Sequence, residues 1–223
     1  MLIGAVVPLK ILSKSKSRLR KEFSMLEFNK QIDMLSEKLF YIVLSAVFFS
    51  QKVNEIVIAT SDPKIRKILS HLNIKSYLDH WTDLNLIVRD GVSILRSYGC
   101  DIILILMADL PYISQRFIDQ LLELEILTDH STCLVVVRSY DGGTTGLVQK
   151  PLGNTPLFLN YVNSAEEHLN YATTHNIPSI MIETEEFSFD IDTIADLSEV
   201  AMQADDDLAN LVHQLRKLLD KAT

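Results

Sequence analysis

Six of the 21 basic residues in this 223-residue chain fall within twelve positions: Lys10, Lys14, Lys16, Arg18, Arg20 and Lys21. No acidic residue interrupts them before Glu22. The cations alternate with Ser13, Ser15 and Ser17 directly after the apolar run Ile3-Gly4-Ala5-Val6-Val7-Pro8-Leu9. Hydroxyls and backbone N–H groups bond phosphate oxygens while lysine and arginine neutralise their charge. Such a loop suits a polyanion, for example a nucleoside triphosphate. It is not a Walker A loop, because the glycines and the G-K-[ST] order are missing. A solvated basic loop is the plain alternative.

Carboxylates supply the opposite charge. The most apolar segment, Ile102-Ile103-Leu104-Ile105-Leu106, leads through Met107-Ala108 to Asp109, and Pro111 then stops it. An ionisable group at a strand's carboxyl end stands where α/β folds bind ligands. Its hard oxygens suit Mg²⁺, which takes one or two carboxylates plus substrate phosphates. The competing role is a cap on the next helix, although Ser114 stands nearer that start. In Asp190-Ile191-Asp192 an extended chain puts both carboxylates on one side, where they repel unless a cation joins them. They could complete a metal site with Asp109. Otherwise Asp192 or Thr193 caps the following helix and Asp190 is exposed.

Two further segments carry polar groups in suggestive order. Asp141-Gly142-Gly143-Thr144-Thr145-Gly146-Leu147 pairs glycines, which admit a close ligand, with threonine hydroxyls. A hairpin turn explains the same residues. Ser164 and His168 lie one helical turn apart at a helix start, a natural anion site. Ser164 with Glu167 also reads as a capping box. Nucleophilic catalysis has no support: there is no G-x-S-x-G elbow, and neither cysteine has a reactive setting. The histidines lack zinc spacing.

The elements that must position these groups alternate between strand and helix. Apolar, β-rich runs occur at 2–9, 55–60, 74–78, 101–108, 132–139, 146–150 and 179–184. Several are continuous rather than alternating, which indicates strands covered on both faces and a mostly parallel sheet. Helix starts stand between them: Ser24 with Glu27, Asp62-Pro63, Ser114 (toward about Leu127), Ser164 with Glu167, and Thr193 with Asp196. The pattern predicts a three-layer α/β domain over residues 1–204. Residues 205–223 form an amphipathic helix, with Leu208, Leu211, Val212, Leu215, Leu218 and Leu219 on one stripe. It either packs on its own domain or makes a homodimer contact.

Composition excludes several classes. Net charge of −8 and a pI near 5.2 argue against general nucleic-acid binding. The apolar stretch Leu39–Phe49 is flanked by Lys38 and Lys52 and falls well short of the roughly 20 residues a membrane span needs. Cys100 and Cys133 are far apart and read as small core residues in a reducing, cytoplasmic setting. Met1 leads straight into a strand, with no secretory signal visible.

With these pieces in order, the sequence resembles the CofC/FbiD family, the 2-phospho-L-lactate guanylyltransferases of coenzyme F420 biosynthesis. The carriers are Val7-Pro8-Leu9-Lys10 with Lys16-Ser17-Arg18-Leu19, Asp83-Leu84-Asn85, Ala108-Asp109-Leu110-Pro111, Gly142 to Leu147, Asn163-Ser164 to His168, and Asp190-Ile191-Asp192-Thr193. The resemblance implies a nucleotidyltransferase fold of the GT-A/MobA-like kind. It implies GMP transfer from GTP to 2-phospho-L-lactate, or to phosphoenolpyruvate or 3-phosphoglycerate, with release of pyrophosphate. Pro8, Lys10, Ser13, Lys16, Arg18 and Asn85 would hold the nucleotide. Thr144, Thr145, Ser164 and His168 would hold the acceptor. Asp109, Asp190 and Asp192 would bind Mg²⁺, and Lys10, Lys16, Arg18 and Asp109 would carry the catalysis. The chain departs from the family at Tyr161-Val162-Asn163, where a glycine turn is usual, at Thr145 and at Ala165, all on the acceptor side. A sugar phosphate or molybdopterin acceptor, or a non-catalytic nucleotide binder, is the alternative.

Overall fold

In chain order the elements are β1 (Leu2–Pro8), α1 (Ser17–Glu22), α2 (Asn29–Phe48), β2 (Glu55–Ala59), α3 (Pro63–His71), β3 (Lys75–Tyr77), α4 (Leu84–Ser97) and β4 (Cys100–Leu106). They continue with α5 (Gln115–Leu122), α6 (Ile126–Asp129), β5 (Cys133–Arg138), β6 (Thr144–Lys150), α7 (Ser164–Thr174), β7 (Ser179–Ile182), α8 (Glu185–Ser188) and α9 (Ile194–Val200). These come from a computed structural model, which describes residues 1–22, 28–72, 74–77, 83–151, 156–159 and 161–200. The Ser24/Glu27 box and the stripe from Leu208 to Leu219 lie outside the described residues. Among the described residues no helix is long and apolar enough to cross a membrane.

The strands form one sheet in the order β3-β2-β1-β4-β6-β5-β7. All neighbours are parallel except β6, which runs antiparallel to both β4 and β5. Side chains alternate across the sheet, so each strand feeds two cores. Ile3, Ala5 and Val7 of β1 pack with Phe40, Val43 and Val47 of α2 and with Ile65, Leu69, Ile118 and Leu121 of α3 and α5. On the other face Val6, Val57, Ile103 and Ile105 meet Val88, Val92 and Leu95 of α4 and Ala165 and Ala172 of α7. The helix–sheet–helix layering predicted from the continuous apolar runs is present. A third cluster joins Leu19, Ile32, Leu35 and Leu39 to Phe189, Ile191, Leu197 and Val200. It anchors the C-terminal acidic segment against α1 and α2.

Two local findings matter for the site. Gly91 lets α4 settle directly onto β1, because a Cβ there would stand 2.7 Å from a methyl of Val6. The Asp62 carboxylate caps α3 by accepting from the N–H groups of Lys64 and Ile65, as the Asp-Pro pair predicts, and its second oxygen accepts from Leu12 N–H at 3.1 Å. That bond ties the basic loop to the end of β2. The helix expected from Ser114 to about Leu127 breaks after Leu122 and resumes at Ile126. Cys100 and Cys133 are buried free thiols.

Candidate active site

Strand order places β1 beside β4, and the winding reverses between them. The carboxyl ends of such a pair splay apart and leave a crevice. A cleft of about 480 Å³ opens there, a volume usual for a small-molecule site. Its walls include Pro8, Lys10, Lys16, Arg18, Asp109, Thr144, Thr145, Asp190 and Asp192. Residues from both ends of the sequence thus meet in one space.

The basic loop does not present all its cations to that space. Arg20 turns inward and clasps the loop. Its guanidinium donates to the carbonyls of Ser15 (2.7 Å) and Leu12 (2.8 Å), to Asn29 Oδ1 (2.9 Å) and to Asp33 (2.5 Å). Ser15 adds a bond to the Leu12 carbonyl and lies 2.7 Å from the Ser36 hydroxyl. So held, the backbone takes the left-handed region at Lys16, with φ of 53°. A non-glycine residue persists there only when its surroundings fix it. The turn drives the Lys16 side chain inward, where it is only 5% exposed. Ser15 and Ser17, not Ser13, line the cleft; Ser13 lies exposed on the outer side of the loop. Lys10 stands exposed at the cleft wall.

Lys16 Nζ lies 2.7 Å from Asp109 Oδ2 and 3.4 Å from Asp192 Oδ1. β4 delivers Asp109: Met107 N–H donates to the Thr145 carbonyl (2.8 Å), and Pro111 ends any continuation of the strand. Asp190 and Asp192 flank Ile191, which is fully buried in the third cluster. The period-2 alternation therefore turns both carboxylates toward the cleft. Asp192 is not the helix cap. Thr193 is: its Oγ1 accepts from Asp196 N–H (3.4 Å) while the Asp196 carboxylate accepts from the N–H groups of Asp192 (2.8 Å) and Thr193 (2.6 Å), the Thr193/Asp196 box expected from the sequence. One oxygen each of Asp109, Asp190 and Asp192 lies within 4.8 Å of the others. Arg18, 65% exposed, reaches Asp192 at 3.2 Å and Asp141 at 3.7 Å.

The titration behaviour of the cluster follows from its crowding. Burial, then the neighbouring carboxylates Asp109 and Asp192, push Asp190 up to about 7, with Lys16 pulling the other way. Burial alone would lower Lys16, but the Coulombic pull of Asp109 and Asp192 and the hydrogen bond to Asp109 outweigh it, so its pKa is raised. Three carboxylates thus share one buried ammonium and keep excess negative charge. All the donors are hard oxygens, the set that Mg²⁺ prefers.

The opposite wall is built on the β5–β6 hairpin. Gly142 sits at φ of +88°, and a Cβ there would fall 2.7 Å from Asn163 Oδ1. The hairpin and the start of α7 therefore touch closely here. The hairpin reading of these glycines holds, and Gly143, Thr144, Thr145 and Asn163 line the cleft. Asp141, not among the expected site residues, lines it too. Its carboxyl is held low first by a short hydrogen bond from Ser139, aided by the Gly143 N–H and Arg18 against the opposing effect of burial. The Ser-x-Asp-x-Gly spacing is the signal for such a turn.

Three expected binders stand behind the wall. Ser164 is the first residue of α7, not its cap, a position Asn163 takes in the left-handed region. Its buried hydroxyl bonds Thr144 Oγ1 at 2.8 Å. His168 Nδ1 lies 2.7 Å from the Ser164 carbonyl and 3.3 Å from Thr144 Oγ1, while Nε2 accepts from Phe158 N–H at 3.2 Å. Burial lowers the His168 pKa to about 4. At neutral pH the ring is uncharged with both nitrogens engaged, so it braces Thr144 from behind. Asn85 likewise braces: its Oδ1 accepts from Leu159 N–H at 2.8 Å, and its neighbours Leu84 and Ile87 line the cleft.

Residues 3–219 match the family described as "Guanylyl transferase CofC like". The chain belongs to that family. It is 28% identical over 200 residues to a phosphoenolpyruvate guanylyltransferase of Sphaerobacter thermophilus, covering 90% of this chain and 93% of the relative. Among solved structures, a Desulfovibrio desulfuricans protein described as a nucleotide-diphospho-sugar transferase superposes with a TM-score of 0.75 at 13% identity, covering 99% of this chain and 98% of its own. A cytidylyltransferase from Leptospira borgpetersenii gives 0.58 at 14% identity, covering 99% and 96%. Those two likenesses speak to the fold, which is the nucleotidyltransferase fold. As a member of the CofC-like family, the protein is a guanylyltransferase.

Proposed function

We propose that this guanylyltransferase moves GMP from GTP to the phosphate of a small phosphorylated three-carbon acid, phosphoenolpyruvate or 2-phospho-L-lactate, as a step toward coenzyme F420. The carrying observation is the meeting of Lys16, Arg18 and three carboxylates on the floor of one cleft. The names of the relatives support an acid of this class.

An acceptor phosphate oxygen attacks the α-phosphorus of GTP in line. The bond to the bridging α–β oxygen breaks, and pyrophosphate departs with that electron pair. The attacking oxygen is already anionic near neutral pH, so the protein has no proton to remove. Its task is positioning and charge neutralisation. Lys10 and Arg18 on the β1 side stand where a polyphosphate enters, and Lys16 reaches it from below. Thr144, Thr145 and Asn163 face the acceptor from the opposite wall, with Ser164 and His168 fixing the Thr144 hydroxyl. Asp109, Asp190 and Asp192 are the residues that would hold Mg²⁺, which when bound supplies Lewis-acid polarisation and neutralises charge on phosphoryl oxygens.

The test is a pyrophosphate-release assay with GTP and Mg²⁺ and a panel of acceptors. Phosphoenolpyruvate, 2-phospho-L-lactate or 3-phosphoglycerate should support release far faster than a sugar phosphate. Preference for a sugar phosphate, or tight GTP binding without release for any acceptor, would overturn the assignment.

A further inference from the structure

The ammonium of Lys16 engages carboxylates that a divalent cation in this cleft would need. It takes up Asp109 Oδ2 at 2.7 Å and touches Asp192 Oδ1 at 3.4 Å, two of the three carboxylates that converge. An oxygen committed to a charge-assisted hydrogen bond is a poor ligand, and two cations a few ångströms apart repel. Yet Lys16 also lines the cleft. Its backbone is pinned: Arg20 N–H donates to the Lys16 carbonyl at 2.9 Å, and Arg20 Nε donates to the Ser15 carbonyl at 2.7 Å. The four-carbon side chain is therefore the part free to change direction, from a fixed pivot between the acidic floor and the cleft.

We propose that Lys16 is an internal competitor of the divalent cation, holding the three carboxylates together in the ligand-free protein and leaving them for a polyphosphate when the cation enters. The inference rests on the reading of Asp109, Asp190 and Asp192 as the cation site. In the ligand-free protein the cation must displace an ammonium already in place, so it binds weakly. A polyphosphate that draws Lys16 upward removes the competitor. By linkage the cation then strengthens polyphosphate binding to the same degree. The cleft therefore fills with both ligands together and resists taking up the metal alone.

The test is calorimetric titration of the ligand-free full chain with Mn²⁺, with no nucleotide present. Lys16→Met and Lys16→Gln should each bind Mn²⁺ about 10- to 100-fold more tightly than wild type, the span of ordinary coupling energies. Asp109→Asn combined with Lys16→Gln should lose that tight binding. Equal or weaker Mn²⁺ binding by both Lys16 variants overturns the competitor role; if Asp109→Asn still abolishes binding, the cation site itself stands. Mn²⁺ binding indifferent to Asp109→Asn, or no binding in any form, overturns both. Wild-type protein gives an independent readout that needs no folded variant. Lysine acetylation followed by peptide mass spectrometry should find Lys16 protected without metal and labelled several-fold faster with Mn²⁺. Unchanged protection contradicts the exchange.

Discussion

Asp109→Asn lowers guanylyl transfer by about 10²–10³-fold while leaving the fold intact, since losing one electrostatic contact in a closed site has that cost. Asparagine keeps the shape and one oxygen but removes the charge that faces Lys16 at 2.7 Å. Folding should not suffer. Asp109 is one of three carboxylates crowded within 4.8 Å, and its removal relieves repulsion on Asp190 and Asp192. The expected pair of results is a collapse of turnover in the pyrophosphate assay and a melting temperature at or above wild type. Turnover near wild type would remove Asp109 from the reacting centre.

Lys16→Ala has a similarly large effect on rate and the opposite effect on stability. Removing one partner of a buried ion pair costs about 3–5 kcal/mol, because the charges left behind are uncompensated. Here three carboxylates are left facing each other, and among the described residues the exposed Arg18 is the cation that still touches Asp192. Asp190, already pushed up to about 7, would take up a proton and soften the loss. Metal-free Lys16→Ala protein should therefore melt well below wild type, recover more than wild type does when Mg²⁺ is added, and still transfer GMP at least about 10²-fold more slowly. Thermal melts with and without Mg²⁺, alongside the rate assay, check all three. Unaltered stability in the metal-free protein would mean that Lys16 is not the counter-ion of the cluster.

The parts of the site readable from the chain were those in which local order dictates direction. Asp109 ends the most apolar strand, so it had to emerge at the carboxyl edge. Asp190 and Asp192 straddle an isoleucine, so burying Ile191 turns both outward into the cleft. The alternating basic loop was less legible. The sequence gathers six cations in one loop beside its serines, but the left-handed turn at Lys16 and the inward clasp of Arg20 send them in different directions. That is a tertiary effect, set by partners such as Asn29 and Asp33. Ser164 and His168 do meet Thr144, but that they stand buried behind it is set by packing between distant segments. The box pattern at Ser164 also pointed to a cap, and the chain uses Asn163 instead. The reversal of β6 was half legible: its run begins at Thr144, inside a turn that reads equally as a hairpin and as a ligand loop.

The most direct test is Mn²⁺ anomalous scattering from crystals grown with a non-hydrolysable GTP analogue. A peak bounded by Asp109, Asp190 and Asp192 and by the nucleotide phosphates, with the Lys16 ammonium moved onto the triphosphate, is the predicted result. A nucleotide bound away from this cleft, or metal density remote from those three carboxylates, would contradict it.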